Sequence, residues 1–143
     1  MVQRIQSVYL LLVAALSAAL FFVTIYSVET AGTAAPAVQE FKVPSNTIYL
    51  ILNSIAGLMA LVTIFLYKNR SMQIRLSNLN MLIICIFIGT VFYFADHSKA
   101  DASSLVHYSI GCYFPLIQLV FTFLAMRAIR KDEALVRSAD RLR

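Results

Sequence analysis

The side chains of this sequence that could do chemistry are few, and they stand inside or beside long apolar runs: His97 and His107, Cys85 and Cys112, and the amides of Asn53 and Gln118 together with Pro115. Two histidines bind a metal or haem only when further ligands accompany them at fixed spacing. No carboxylate or thiolate does so here, so no metal is expected, and an imidazole that hydrogen-bonds lipid headgroups is the plainer reading. Counted along antiparallel helices, Cys85 and Cys112 differ in depth by roughly 5–10 Å, which disfavours a disulfide and leaves both as small core residues. No Asp, Glu, Lys or Arg falls inside the apolar runs, whereas proton relays need ionisable groups at depth. With no nucleophile and base pair and no metal set, no enzyme and no cofactor are expected. Asn53, Pro115 and Gln118 are the remaining candidates. Two amides beside a proline-bent helix could open a gap that admits a lipid or quinone. Alternatively each amide bonds a neighbouring helix, a contact that contributes about 1 kcal/mol.

The elements that must hold these groups follow from composition. The chain has 143 residues, 60% of them hydrophobic and 13% charged, and its mean hydropathy is +0.78. A soluble domain is roughly 45–50% apolar. The excess points to one integral membrane domain whose apolar surface faces lipid. Apolar runs over about 8–28, 47–67, 76–95 and 105–126 predict four membrane spans in an all-α, four-helix bundle. The first run resembles a signal peptide in its basic start, but it is longer than the roughly 7–15 apolar residues of such peptides, which favours a retained span. Ala14, Ala15, Ala18 and Ala19 form small-residue pairs that would let another helix approach closely.

Glu29–Pro44 shows no apolar period and is expected to be an irregular loop. Pro44-Ser45-Asn46 supplies a helix start, and Asp101, Ser103 or Ser104 another. Pro115 should bend the fourth helix. The third helix is expected to begin in the headgroup region near Met72. Tyr26, Tyr49, Tyr67, Tyr93, Tyr108 and Tyr113 cluster toward span ends, as interfacial aromatic rings do.

Charge fixes the expected orientation. Arg4, Lys68, Arg70, Arg75, Arg127, Arg130, Lys131, Arg137, Arg141 and Arg143 fall on one side of the four spans, and only Lys42 and Lys99 on the other. By the positive-inside rule both termini are cytoplasmic. These basic groups sit at the ends of apolar runs, so the net charge of +5 reads as a topology signal and not as a nucleic-acid surface. Residues 127–143 form a helical tail in which Ala128, Leu135, Ala139 and Leu142 make a narrow stripe. Such a stripe needs a partner: the basic loop of the same chain, the membrane surface or another protein.

Three stretches carry a resemblance: Val2-Gln-Arg-Ile-Gln-Ser7, Tyr67-Lys-Asn-Arg-Ser-Met-Gln-Ile-Arg-Leu76 with Leu79-Asn80, and the segment from Ala128 to Arg143. Together they resemble the bacterial inner-membrane family called domain of unknown function 4293, over essentially the whole chain. The resemblance implies four membrane helices with both ends cytoplasmic, and it brings no activity.

The expected function is that of a noncatalytic bacterial inner-membrane protein, an accessory or scaffold subunit. It would dock on a larger membrane complex or a cytoplasmic protein through Arg4, Lys68, Arg70, Arg75, Arg130, Lys131, Arg137 and Arg141. The alternative is a small transporter or a lipid- or quinone-binding protein using Asn53 and Gln118. Membrane lipids are expected partners in both, and nucleic acid in neither.

Overall fold

The computed structural model describes residues 2–30, 37–67, 69–98 and 105–140. They form helices α1 (Val2–Ala19), α2 (Thr47–Phe65), α3 (Arg70–His97) and α4 (Phe114–Asp140), and strands β1 (Thr24–Thr30), β2 (Ala37–Lys42) and β3 (Leu105–Tyr108). The chain is mostly helical, but the all-α expectation is corrected by a three-stranded antiparallel sheet in the order β2-β1-β3.

The strands replace helix at both ends of that sheet's span of sequence. The expected first span ends at Ala19, where Leu20, Phe21 and Phe22 close a tightened turn onto Leu16, Ala18 and Ala19. Beyond it Thr24-Ile-Tyr-Ser-Val-Glu-Thr is rich in β-branched and aromatic residues, which favour a pleated surface over a helix. Tyr26 and Val28 are buried while Ser27 and Glu29 are half-buried, the alternation of a strand lying on a core. A register shift between Thr24 and Tyr26 lets Ile25 be buried as well. Part of the expected loop Glu29–Pro44 is therefore strand. Likewise the expected fourth span begins as β3, passes through a 3-10 turn at Ile110–Tyr113, and becomes helix only at Phe114. Pro115 consequently sits in the first turn of α4, where no intrahelical partner exists for the N–H it lacks, and it does not bend a helix interior.

Each helix packs on its neighbours in chain order, and α4 closes the ring against α1. Gln6 reaches Ala128, Ser17 meets Gln118, and Gln73 reaches Thr63, so adjacent helices run in opposite directions. Buried positions recur at alternating spacings of three and four: Gln6, Leu10, Val13, Ser17 and Leu20 on α1, and Gln73, Ser77, Asn80, Ile84, Phe87 and Val91 on α3. This is the seam of helices packed nearly antiparallel with knobs in holes. The start of α2 is capped as its sequence suggests, with the Asn46 carbonyl accepting from the Ile48 amide at 2.9 Å. The expected caps Asp101, Ser103 and Ser104 lie outside the described residues.

The sheet covers the end of the bundle formed by the C-termini of α1 and α3 and the N-termini of α2 and α4. Tyr26, Val28, Val43, Tyr49, Phe87 and Val91 join in one core there. Tyr26 and Tyr49 are thus core residues and not interfacial rings, whereas Tyr67, Tyr93, Tyr108 and Tyr113 are exposed. Three helices, over Thr47–Phe65, Arg70–His97 and Ile110–Leu135, are long and apolar enough to cross a membrane. The apolar part of α1, Ile5–Ala19, spans about 22 Å, less than the roughly 30 Å of a hydrocarbon core.

Candidate functional site

The polar centre of the bundle is built on Ser17. The Asn53 Nδ2 of α2 donates to the Ser17 carbonyl at 2.9 Å, and the Gln118 Nε2 of α4 donates to Ser17 Oγ at 3.2 Å. The two amides singled out in the sequence are therefore brought together through a residue that sequence reasoning missed. Gly57, one turn beyond Asn53, admits α1 closely: a Cβ there would lie 3.0 Å from Ser17 Cβ. Thr122 extends the centre by donating to the Gln118 carbonyl at 2.8 Å.

Beside this node a cleft of about 360 Å³ opens between α1 and α2. Ala14, Ser17, Ala18, Phe21, Asn53, Ser54, Gly57, Leu58 and Leu61 line it. Ala14 and Ala18 belong to the small-residue set read from the sequence, and here they border the cleft. Asn53 Oδ1 has no hydrogen-bond partner among the described residues. Pro115 stands apart, in a crevice with Ile88, Val91, Phe92 and Cys112. The lining offers hydrogen bonds and apolar contact, without an ionisable side chain.

Further polar side chains are buried toward the other end of the bundle. Gln73 Nε2 donates to the Thr63 carbonyl at 2.9 Å, and Gln6 Nε2 to the Ala128 carbonyl at 3.3 Å. Ser77 Oγ and both polar atoms of the Asn80 side chain are buried without a partner among the described residues. Their signal in the sequence is the three-and-four spacing from Gln73 through Asn80 to Phe87. Lying near the start of α3, they read instead as headgroup residues. A buried amide left unpaired costs about 1–3 kcal/mol. Replacing it by an apolar side chain of similar shape should therefore stabilise the bundle. Asn80→Leu is expected to raise the thermal midpoint in detergent, and Asn53→Leu, which strips the Ser17 carbonyl of its donor, to lower it. A lower midpoint for Asn80→Leu would mean that its amide is hydrogen-bonded after all.

The other residues with chemical potential are occupied locally. His107 Nε2 lies 3.5 Å from Glu29 Oε2 across β3 and β1, and His97 stacks on Tyr93 at 4.3 Å. Among the described residues no group of three His, Cys, Asp or Glu side chains is placed to hold a metal ion. Cys85 and Cys112 are free thiols.

The basic face divides into engaged and exposed residues. Arg70 Nη2 lies 3.2 Å from Asp132 Oδ2, and its Nη1 donates to the Asp132 main-chain carbonyl at 3.2 Å. That fork ties the start of α3 to α4, so the basic loop of this chain is one partner of the tail. Ile129 is fully buried and Ala128 accepts from Gln6; the tail up to Asp132 belongs to the bundle and does not project from it. Arg75, Arg130 and Lys131 are exposed. Lys68 and Arg141 lie outside the described residues. The backbones of Arg4 and Arg137 belong to α1 and α4, but their side chains lie outside the described ones.

The pattern of a protein family described as Domain of unknown function (DUF4293) matches residues 2–142. No curated protein and no solved structure matches the chain.

Proposed function

We propose that this chain, which belongs to that family of unknown function, is a noncatalytic multi-pass protein of the bacterial inner membrane. Both its termini are cytoplasmic, and it serves as an accessory or scaffold subunit that docks through its basic end. One observation carries this reading: both chain termini and the α2–α3 connection share the bundle end opposite the sheet, and Arg75, Arg127, Arg130 and Lys131 are exposed on the segments that converge there. Buried amides inside and exposed Leu58, Phe65, Ile86 and Phe123 outside support a lipid-facing surface, since soluble domains expose few large apolar side chains together. The basic end then lies where positive charge is retained during insertion.

Asp132 is the partner of Arg70, so truncating the tail would disturb packing as well as docking. Charge reversal separates the two. Arg75→Glu with Arg130→Glu and Lys131→Glu leaves the Arg70 fork intact. It is expected to cut recovery of a stoichiometric partner in mild-detergent purification at least about tenfold, a loss equivalent to about 1.4 kcal/mol, while the protein stays resistant to alkaline extraction from membranes. Undiminished partner recovery would end the docking reading. The second reading, a small transporter or a lipid- or quinone-binding protein, is favoured by the convergence of Asn53 and Gln118 on Ser17 beside the cleft.

A further inference from the structure

We propose that the cleft between α1 and α2 binds the hydroxyl end of a single-chain lipid alcohol, with Asn53 Oδ1 as the acceptor. The proposal rests on the second reading above, that the bundle takes a membrane-soluble ligand, and names the chemistry of that ligand.

Asn53 is 1% exposed. Its Nδ2 is committed to the Ser17 carbonyl at 2.9 Å, and its Oδ1 is left without a partner among the described residues. A carbonyl oxygen only accepts, so whatever completes it must bring a donor. Most of the remaining lining is apolar: Ala14, Ala18, Phe21, Leu58 and Leu61. Among the described residues no charged side chain borders the cleft, so a charged headgroup would be desolvated without compensation. Ser54 adds one more hydroxyl to the lining. A volume of about 360 Å³ lies at the small end of ligand pockets and gives room for one chain, not two. Asn53 lies about 9 Å along α2 from its start at Thr47, a depth in hydrocarbon that an uncharged ligand can reach sideways from the lipid. Esters and ethers bring only acceptors; they would leave Oδ1 unpaired, and that difference selects for the free hydroxyl.

The test is native mass spectrometry of the full-length protein from mild detergent. Oleyl alcohol and geranylgeraniol serve as probes, each compared with its methyl ether. The expected result is a one-to-one adduct with a free alcohol that is about tenfold weaker with the ether, the factor set by one unpaired buried acceptor. Which alcohol is retained tells a straight acyl-derived chain from an isoprenoid one. Asn53→Leu should erase the difference between alcohol and ether. Ala18→Leu, which fills the cleft without touching the Ser17 node, should abolish both adducts. Equal binding of alcohol and ether, both lost in Ala18→Leu, overturns the hydroxyl assignment while the ligand-binding reading stands. No adduct with the wild type, or a lipid-free dimer that Ala18→Leu dissociates, overturns both.

Discussion

Tyr26→Ala should release the sheet from the bundle at a cost of about 3–5 kcal/mol, the range for deleting a large buried ring. Tyr26 lies on the central strand and is 1% exposed. Its ring stacks on Phe41 of β2 with centroids 4.7 Å apart. Its hydroxyl stands 3.5 Å from that of Tyr49 and 3.4 Å from Ser98 Oγ. One side chain therefore connects β1, β2, α2 and the end of α3, and it shares a core with Phe87 and Val91. Tyr26→Phe keeps the ring and loses only the polar contacts, so it should cost about 1 kcal/mol. Tyr108→Ala, at an exposed position of β3, supplies the comparison. Hydrogen exchange of the β1 amides, followed alongside equilibrium unfolding in detergent, should show Tyr26→Ala accelerating exchange across the strand. Similar losses for Tyr26→Ala and Tyr108→Ala would show that the sheet is not anchored by this ring.

Gly111→Ala is expected to destabilise the same region by about 1–3 kcal/mol, the range for overpacking a close contact. A Cβ at Gly111 would lie 2.5 Å from the Thr24 carbonyl oxygen, 3.0 Å from its carbon and 3.2 Å from Ile25 Cα. All three are backbone atoms of β1, so no side chain can rotate away, and the strand or the 3-10 turn must move. Among the described residues no glycine has positive φ; the requirement at Gly111 is space. A Cβ added at Gly89, inside α3, would meet nothing within 4 Å, and Gly89→Ala should instead stabilise by about 1 kcal/mol through helix propensity. The opposite signs of two identical substitutions, read as thermal midpoints, make the comparison independent of absolute stability. A stabilised or unchanged Gly111→Ala would contradict the tight approach of the turn to β1.

The helical part of the fold and its polar contacts are more legible in the sequence than the sheet. Asn46 has a short acceptor side chain before an apolar run, and it caps α2. Asn53 and Gln118 are isolated amides in apolar runs, which forces them toward other helices, and both meet Ser17. Serine carries no such signal, because it can satisfy itself within its own helix; nothing in the sequence sets Ser17 apart. The strands are hidden for a different reason. Val8–Val28 is apolar throughout, and hydropathy over a continuous run does not distinguish helix from strand. The β-branched and aromatic content of Thr24–Thr30 and its alternation are the available cues. Pairing of β1 with β3 depends on residues far apart in the chain, which no local pattern encodes. The burial of Tyr26 and Tyr49 follows from that pairing, so a tyrosine near a span end becomes core once a sheet covers it.

The order β2-β1-β3 also has a consequence for biogenesis. The hairpin of β1 and β2 can form while the chain is still being made, since its strands are joined by a short connection. The other edge of β1 must wait until α2 and α3 have been synthesised and Leu105–Tyr108 has arrived to pair with Tyr26–Glu29. Until then its N–H and C=O groups are open to any passing strand. The last pairing step therefore reports that the preceding helices are in place, and a chain stalled before α4 displays an unfinished edge that a quality-control protease or chaperone can read.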